Sequence, residues 1–305
     1  MVAKGEAQAA SQKIVPHLWF DKEAKEAAAF YVSAFTGDSE IRNVTTIHNT
    51  PSGSVDIVSF KILGYDFMAI SAGPLFKFNP SVSFHVKCAS MEEVDTIWAK
   101  LSEGGTVLME LGSYPFSKRY GWLQDRYGLS WQIIFVEGEF KQRITPFLMF
   151  VGKVCGKAED AIRFYASVFH DTGVDVRARH GKGEEPDKEG TVKYASFILE
   201  GQEFGAMDSA HEHKFAFNEA ISFIVRCEDQ KEIDYYWKLS AVPESEQCGW
   251  LKDRYGVSWQ IVPTVIDGMM ASKDAAAVAR VTEAFLKMKK FDVAALTKAY
   301  KVAIK

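Results

Sequence analysis

The residues GWLQDRYGLSWQI from Gly121 return as GWLKDRYGVSWQI from Gly249, with only Gln124 replaced by Lys252 and Leu129 by Val257. A match this long in sequence of ordinary complexity means that the chain carries a duplicated unit, and both copies must fold with one hydrophobic pattern. Towards the N-terminus, NPSVSFHVKC (79–88) answers NEAISFIVRC (218–227), and GYDFMAIS (64–71) answers GQEFGAMD (201–208). Earlier still, EAAAFYVSAF (26–35) answers DAIRFYASVF (160–169), and PHLWF (16–20) answers PFLMF (146–150). The order is kept throughout, so the duplicated unit is a whole domain. The expected organisation is a flexible N-terminus at 1–12, a first domain at 13–137, a linker at 138–142, a second domain at 143–266 and a helical tail at 267–305. Two places differ in length between the copies. The first copy is longer around MELGSYPFSKRY, expected in a loop or edge hairpin, and the second lengthens an early hairpin with HGKGEEPDKEG, expected to be solvent-exposed.

Periodicity assigns the elements. SVSFHVKC alternates Val82, Phe84, Val86 and Cys88 against Ser83, His85 and Lys87, the period of a strand. Ala24, Ala27, Ala28, Tyr31 and Phe35 recur at helical spacing, and Gly37 supplies a stop. Ser90 with Glu93 forms a capping box for the next helix, and Asp229 with Glu232 does the same in the second copy. IRNVTTIHN, SVDIVSFKIL and DFMAIS are three successive strands. Each copy therefore reads as two βαβββ units, with the last unit expected to end in three strands like the others. Strands follow one another too often, and helices are too few, for a doubly wound sheet, so the class is α+β. In the tail, Val278, Val281, Phe285 and Met288 line one helix face, and Asp292 caps a second helix.

Four βαβββ units, opened in each copy by LWF…A…FY…F and closed by GWLxDRYGxSWQI, resemble the vicinal oxygen chelate superfamily of glyoxalase and bleomycin-resistance proteins. More narrowly they resemble its PhnB-like branch, whose members carry the name 3-demethylubiquinone-9 3-methyltransferase. The resemblance implies a tandem repeat of two glyoxalase-like domains, each forming a curled sheet, with C-terminal helices added. Methyl transfer is not expected, because no strand leads through a GxGxG turn that would bind S-adenosylmethionine.

In the superfamily, paired units form a cup whose floor holds a divalent metal on His, Gln or Glu side chains from the first and last strands of each unit. Carried over residue by residue, the resemblance implies His17, His85 and Gln132 as ligands in the first copy. The fourth ligand should come from YDFMAIS, which offers no such residue at its centre. In the second copy Phe147 and Ile224 replace the histidines and only Gln260 remains, so a metal (Ni, Co, Zn, Mn or Fe) is expected in the first domain alone. The competing reading makes His17 and His85 polar residues hydrogen-bonded in the cup, and gives Gln132 and Gln260 a structural duty. Trp19, Trp122, Trp131, Tyr114 and Phe116 are expected around the pocket, the repeated tryptophans serving as core or cup wall and the last two as a lid or an edge cover. Asp125 and Asp253 are expected as turn acceptors, and His211 and His213 in an exposed tract.

The first functional expectation is a metal-dependent lyase, isomerase or dioxygenase acting on a small metabolite in the first cup, with the catalytic base unidentified. The alternative is a non-catalytic protein that sequesters a small molecule without metal. A third is a scaffold assembled through the tail helices. A net charge of −4 argues against nucleic acid or an anionic membrane as partner. No nucleotide cofactor is expected. Four cysteines without a CxxC pair read as reduced thiols, and with no long apolar run and no apolar leader segment in the sequence a cytoplasmic location is expected. The duplication suggests a monomeric pseudo-dimer or a homodimer.

Overall fold

The computed structural model describes residues 12–50 and 52–301. The segment 1–12, expected to be flexible, lies almost wholly outside the described residues, as do residues 302–305 of the tail. The first unit is β1 (Ile14–Phe20), α1 (Ala24–Ala34), β2 (Glu40–Thr50), β3 (Gly53–Ile62) and β4 (Tyr65–Ser71). The second is β5 (Val82–Cys88), α2 (Met91–Leu101), β6 (Thr106–Tyr114), β7 (Ser117–Gln124) and β8 (Ser130–Phe135). The second copy begins with β9 (Ile144–Val151), α3 (Ala158–Val168), β10 (Gly173–Arg179), β11 (Val192–Leu199) and β12 (Gln202–Ser209). Its last unit is β13 (Ile221–Cys227), α4 (Gln230–Tyr236), β14 (Trp250–Lys252) and β15 (Ser258–Pro263), followed by α5 (Val265–Met270), α6 (Ala275–Leu286) and α7 (Val293–Lys301).

The class is α+β, as the strand-rich order dictates. The last unit, however, has two strands after its helix where three were expected. The length difference explains this: MELGSYPFSKRY forms the β6–β7 edge hairpin of the first copy, and short 3-10 turns at Trp237–Leu239 and Pro243–Ser245 stand in its place in the second. Beyond Ala271 the tail holds two helices among the described residues, α6 and α7, as its apolar spacing and Asp292 indicate, and the short α5 precedes them. Capping follows the sequence closely. Ser90 Oγ accepts from Glu93 N at 3.1 Å, Asp229 Oδ1 accepts from Glu232 N at 2.9 Å, and Asp292 Oδ1 accepts from Ala295 N at 2.9 Å.

The strands form two curled sheets, and each draws one unit from each copy. The first runs β14-β15-β13-β1-β4-β3-β2 and the second β10-β11-β12-β9-β5-β8-β7-β6. The joins are antiparallel: β1 on β13 with Ile14 opposite Val225, and β5 on β9 with Val82 opposite Leu148. Alternation then divides the strands. Leu18 and Phe20 of β1 enter a continuous core with Phe60, Phe84 and Trp131, whereas His17 and Trp19 face the other way, into the hollow of the sheet. Fully burying an aromatic of this size contributes roughly 2–3 kcal/mol.

The repeated motif ties the two sheets together inside each copy. Asp125 is buried; its Oδ1 accepts from the backbone N–H groups of Tyr127 and Leu129, and its Oδ2 from Tyr31 Oη and Trp131 Nε1, both at 2.8 Å. Asp253 repeats all four bonds with Tyr255, Val257, Tyr165 and Trp259. Tyr31 belongs to a helix of the first sheet and Trp131 to the second sheet, so DRYGxSW is a clamp as well as a turn. Among the described residues no helix is long and apolar enough to cross a membrane.

Candidate functional site

His17 and His85 lie in different hollows. His17, on β1, belongs to the first sheet; His85 and Gln132, on β5 and β8, belong to the second. The three residues expected to ligate one metal are therefore not brought together, because each sheet is built from both copies. Met68 on β4 is the register partner of His17, and Ile224 is that of Gln260, so the first sheet offers His17, Met68, Ile224 and Gln260 at the four ligand-bearing strand positions. The second offers His85, Gln132, Phe147 and Gly205. At these four positions each sheet has one imidazole and one amide.

The second hollow is filled by its own side chains. Phe147 stacks on His85 with ring centroids 4.4 Å apart, and Tyr194 stacks on Phe147 at 5.7 Å. Gly205 makes room for this: a Cβ there would lie 2.2 Å from the Phe147 ring. The carbonyl oxygen of Gln132 accepts from His85 Nε2 and from Tyr120 Oη, each at 2.6 Å, and its amide donates to Ser83 Oγ at 2.8 Å. Both polar ends of the glutamine are satisfied by hydrogen bonds within the fold. A metal on His85 Nε2 would have to displace the proton that holds this network. Burial pushes the His85 imidazole down to about 4, the bond to Gln132 opposing.

The first hollow is open. It encloses a cavity of about 880 Å³ lined by His17, Trp19, Ile57, Met68, Ile70, Ile224, Trp250 and Gln260, and the tail closes it with Met270, Phe285 and Phe291. Phe291 is seated over Gly249, where a Cβ would lie 2.5 Å from its ring. His17 is 5% exposed, makes no hydrogen bond through its ring among the described residues, and keeps Nδ1 buried without a partner. It packs edge-on against Trp250 at 5.5 Å, and burial pushes it down to about 3. A neutral, unpaired imidazole in an apolar cavity is costly unless something hydrogen-bonds to it. Among the described residues the Gln260 side chain keeps only the bond from its amide to Ser222 Oγ at 2.9 Å.

The donor set fits a divalent metal in neither hollow. Met68 and Ile224 occupy two of the four positions in the first, Phe147 and Gly205 occupy two in the second, and among the described residues no group of three His, Cys, Asp or Glu is placed to hold an ion.

The other expected pocket residues divide. Trp19 lines the open cavity and donates from Nε1 to Gly73 O at 2.8 Å. Trp131 is fully buried core and not pocket wall. Trp122 donates to Ser130 Oγ in the second sheet, while its counterpart Trp250 lines the cavity. Tyr114 and Phe116 cluster on Tyr120 at the β6–β7 hairpin, covering the filled hollow rather than the open one. His211 is exposed as expected, but His213 bonds Ser209 at 2.9 Å. The insertion HGKGEEPDKEG is not wholly exposed either, since His180 is buried with Nδ1 3.2 Å from Glu184 Oε2. The sequence reading missed Ile224 as a wall of the open site, together with Met68, Met270 and Phe285. Their signal was available only through the pairing of β1 with β13 and the fold-back of the tail.

Comparison with known proteins agrees with the architecture. The family model described as 3-demethylubiquinone-9 3-methyltransferase matches twice, over residues 12–134 and 142–262. The PhnB protein of Bacillus cereus is 42% identical over 41% of this chain and 100% of its own, with a TM-score of 0.39. Glyoxalase I from Zea mays is 12% identical over 86% of this chain and 98% of its own, with a TM-score of 0.53, a likeness of fold alone. No curated protein matches. With one match in each copy, the chain belongs to the PhnB-like family described as 3-demethylubiquinone-9 3-methyltransferase, with two tandem domains of glyoxalase-like fold.

Proposed function

We propose that the chain binds an apolar small molecule in the hollow of the first sheet and does so without a metal ion. One observation carries this reading: a cavity of about 880 Å³, mostly apolar, contains a buried imidazole with an unpaired nitrogen. Its size and lining are those of small-molecule sites, where a few polar groups orient a ligand held by apolar walls. His17 and Gln260 are such groups here. Both are 5–7% exposed, and each retains hydrogen-bonding capacity that β pairing does not use.

The chemistry in the family's description needs a methyl donor, and among the described residues no strand leads through a GxGxG turn into a helix that would hold a nucleoside-bearing one. The ligand-holding reading asks nothing of such a cofactor. Its test is titration calorimetry with 2-naphthol in the presence of EDTA, on wild type and on Ile224→Trp, which puts an indole into the cavity. Saturable one-to-one binding that ignores the chelator and is abolished in Ile224→Trp is the expected result. Binding that vanishes with EDTA and returns with Ni, Co, Zn, Mn or Fe(II) would instead favour metal-dependent chemistry, and no binding at all would end the proposal.

A further inference from the structure

Two residues beyond Ile224 on β13, Arg226 shares its face of the strand, and both it and its register partner Val262 line the open cavity. Arg226 is half-buried, and its guanidinium makes no hydrogen bond or ion pair among the described residues. The duplication shows how the same position is handled in the hollow that side chains fill. Lys87 stands there in the second sheet, and Glu203 neutralises it with an Nζ–Oε2 distance of 2.5 Å. Asp66 is the counterpart of Glu203 in the first sheet, but its carboxylate is turned to Arg42 at 2.9 Å. The acid that would silence Arg226 is thus engaged elsewhere.

The remaining acids around the cavity do not replace it. Glu219 is bound to Lys252 at 2.7 Å, and Glu244 lies on the exposed 3-10 turn at the rim. Asp267, an exposed residue of α5, lies close enough to Arg226 to feel its charge but forms no ion pair with it among the described residues. A cation left half-buried beside apolar walls calls for a counter-charge. An arginine fork receives an oxyanion on two parallel N–H groups.

Resting on the reading that this hollow holds a small molecule, we infer that its ligand is amphipathic, with an anionic head on Arg226 and an apolar body along Ile224, Met68 and Trp250. Ser222, the register partner of His17, lies four residues from Arg226. At strand spacing that is about 13 Å, so a body of roughly ten carbons reaches from one polar group to the other.

Titration calorimetry with decanoate, decyl sulfate and 1-decanol on wild type, Arg226→Gln and Arg226→Lys tests this. On wild type the anions should bind at least roughly tenfold tighter than the alcohol, the effect of one charge-assisted hydrogen-bonded contact. Arg226→Gln should erase that preference while binding of 1-decanol persists, and Arg226→Lys should keep part of it. A preference for decanoate over decyl sulfate would assign the head to a carboxylate, and equal affinity would assign it to any oxyanion. If the alcohol binds wild type as tightly as the anions, the anionic head is overturned, and if the preference survives Arg226→Gln, its seat on Arg226 is overturned; in both cases the apolar pocket stands. If none of the three binds, the pocket reading and this inference fall together.

Discussion

At the scale of single residues, the duplication serves as an internal control. His17 in one copy answers Phe147 in the other, and the two sheets differ accordingly: the phenyl ring packs on His85, while the imidazole borders empty space. Burial holds His17 at about 3 in the folded chain against about 6.5 when unfolded. Between those values the unfolded chain binds a proton that the folded imidazole refuses, so stability falls as pH drops through this window and levels off below it. The slope is about 1.4 kcal/mol per pH unit for one such histidine. His17→Phe removes that contribution and leaves His85 and the carboxylates in place. Urea midpoints at pH 7 and pH 5 should show the loss on acidification reduced in the variant by roughly 2 kcal/mol, and an equal loss in both proteins would mean that His17 is protonated in the fold. The repeated aspartates were legible only in part. Their place before a glycine marks them as turn acceptors, but the bonds from Tyr31 to Asp125 and from Tyr165 to Asp253 come from helices far away in sequence and leave no local trace.

Among elements, the helices were the most readable, because a cap and an apolar stripe are local: Ser90, Asp229 and Asp292 all cap where their side chains allow. The missing strand of the last unit was less readable, since a shorter copy does not say which element has gone. The β9–β12 pair is a further case of non-local dictation. Gly205 sits in mid-strand, where glycine is unfavourable, and it is there because Phe147 on the neighbouring strand occupies the space of any side chain. The first sheet has the reverse arrangement, with Met68 beside His17. Gly205→Met alone should therefore destabilise by roughly 1–3 kcal/mol through overpacking. Phe147→His in the same chain should recover most of that loss by recreating the first sheet's pair, a coupling that thermal unfolding of the two single variants and the double variant would measure. Additive effects would show that Phe147 is not what requires the glycine.

For the whole molecule, sequence repeats reveal how many units there are but not which units share a sheet. A βαβββ unit presents the same first strand whether it meets its own copy's second unit or the other copy's, so the alternation along β1, β5, β9 and β13 is satisfied either way. That ambiguity sent the expected metal ligands to one hollow when the structure distributes them over two. It also has a consequence for folding. Residues 13–137 alone contain two half-sheets, whose β1 and β5 edges lack the strands that pair with them in the full chain. Exposed central edges of this kind seek other strands. The isolated segment should accordingly form a swapped homodimer or precipitate, and co-expression with residues 138–305 should yield a soluble one-to-one complex with the thermal transition of the intact protein. Size-exclusion chromatography with light scattering distinguishes these states. A stable, folded monomer of residues 13–137 would mean that each copy can close its own sheet, and that the exchange between copies is not what holds the chain together.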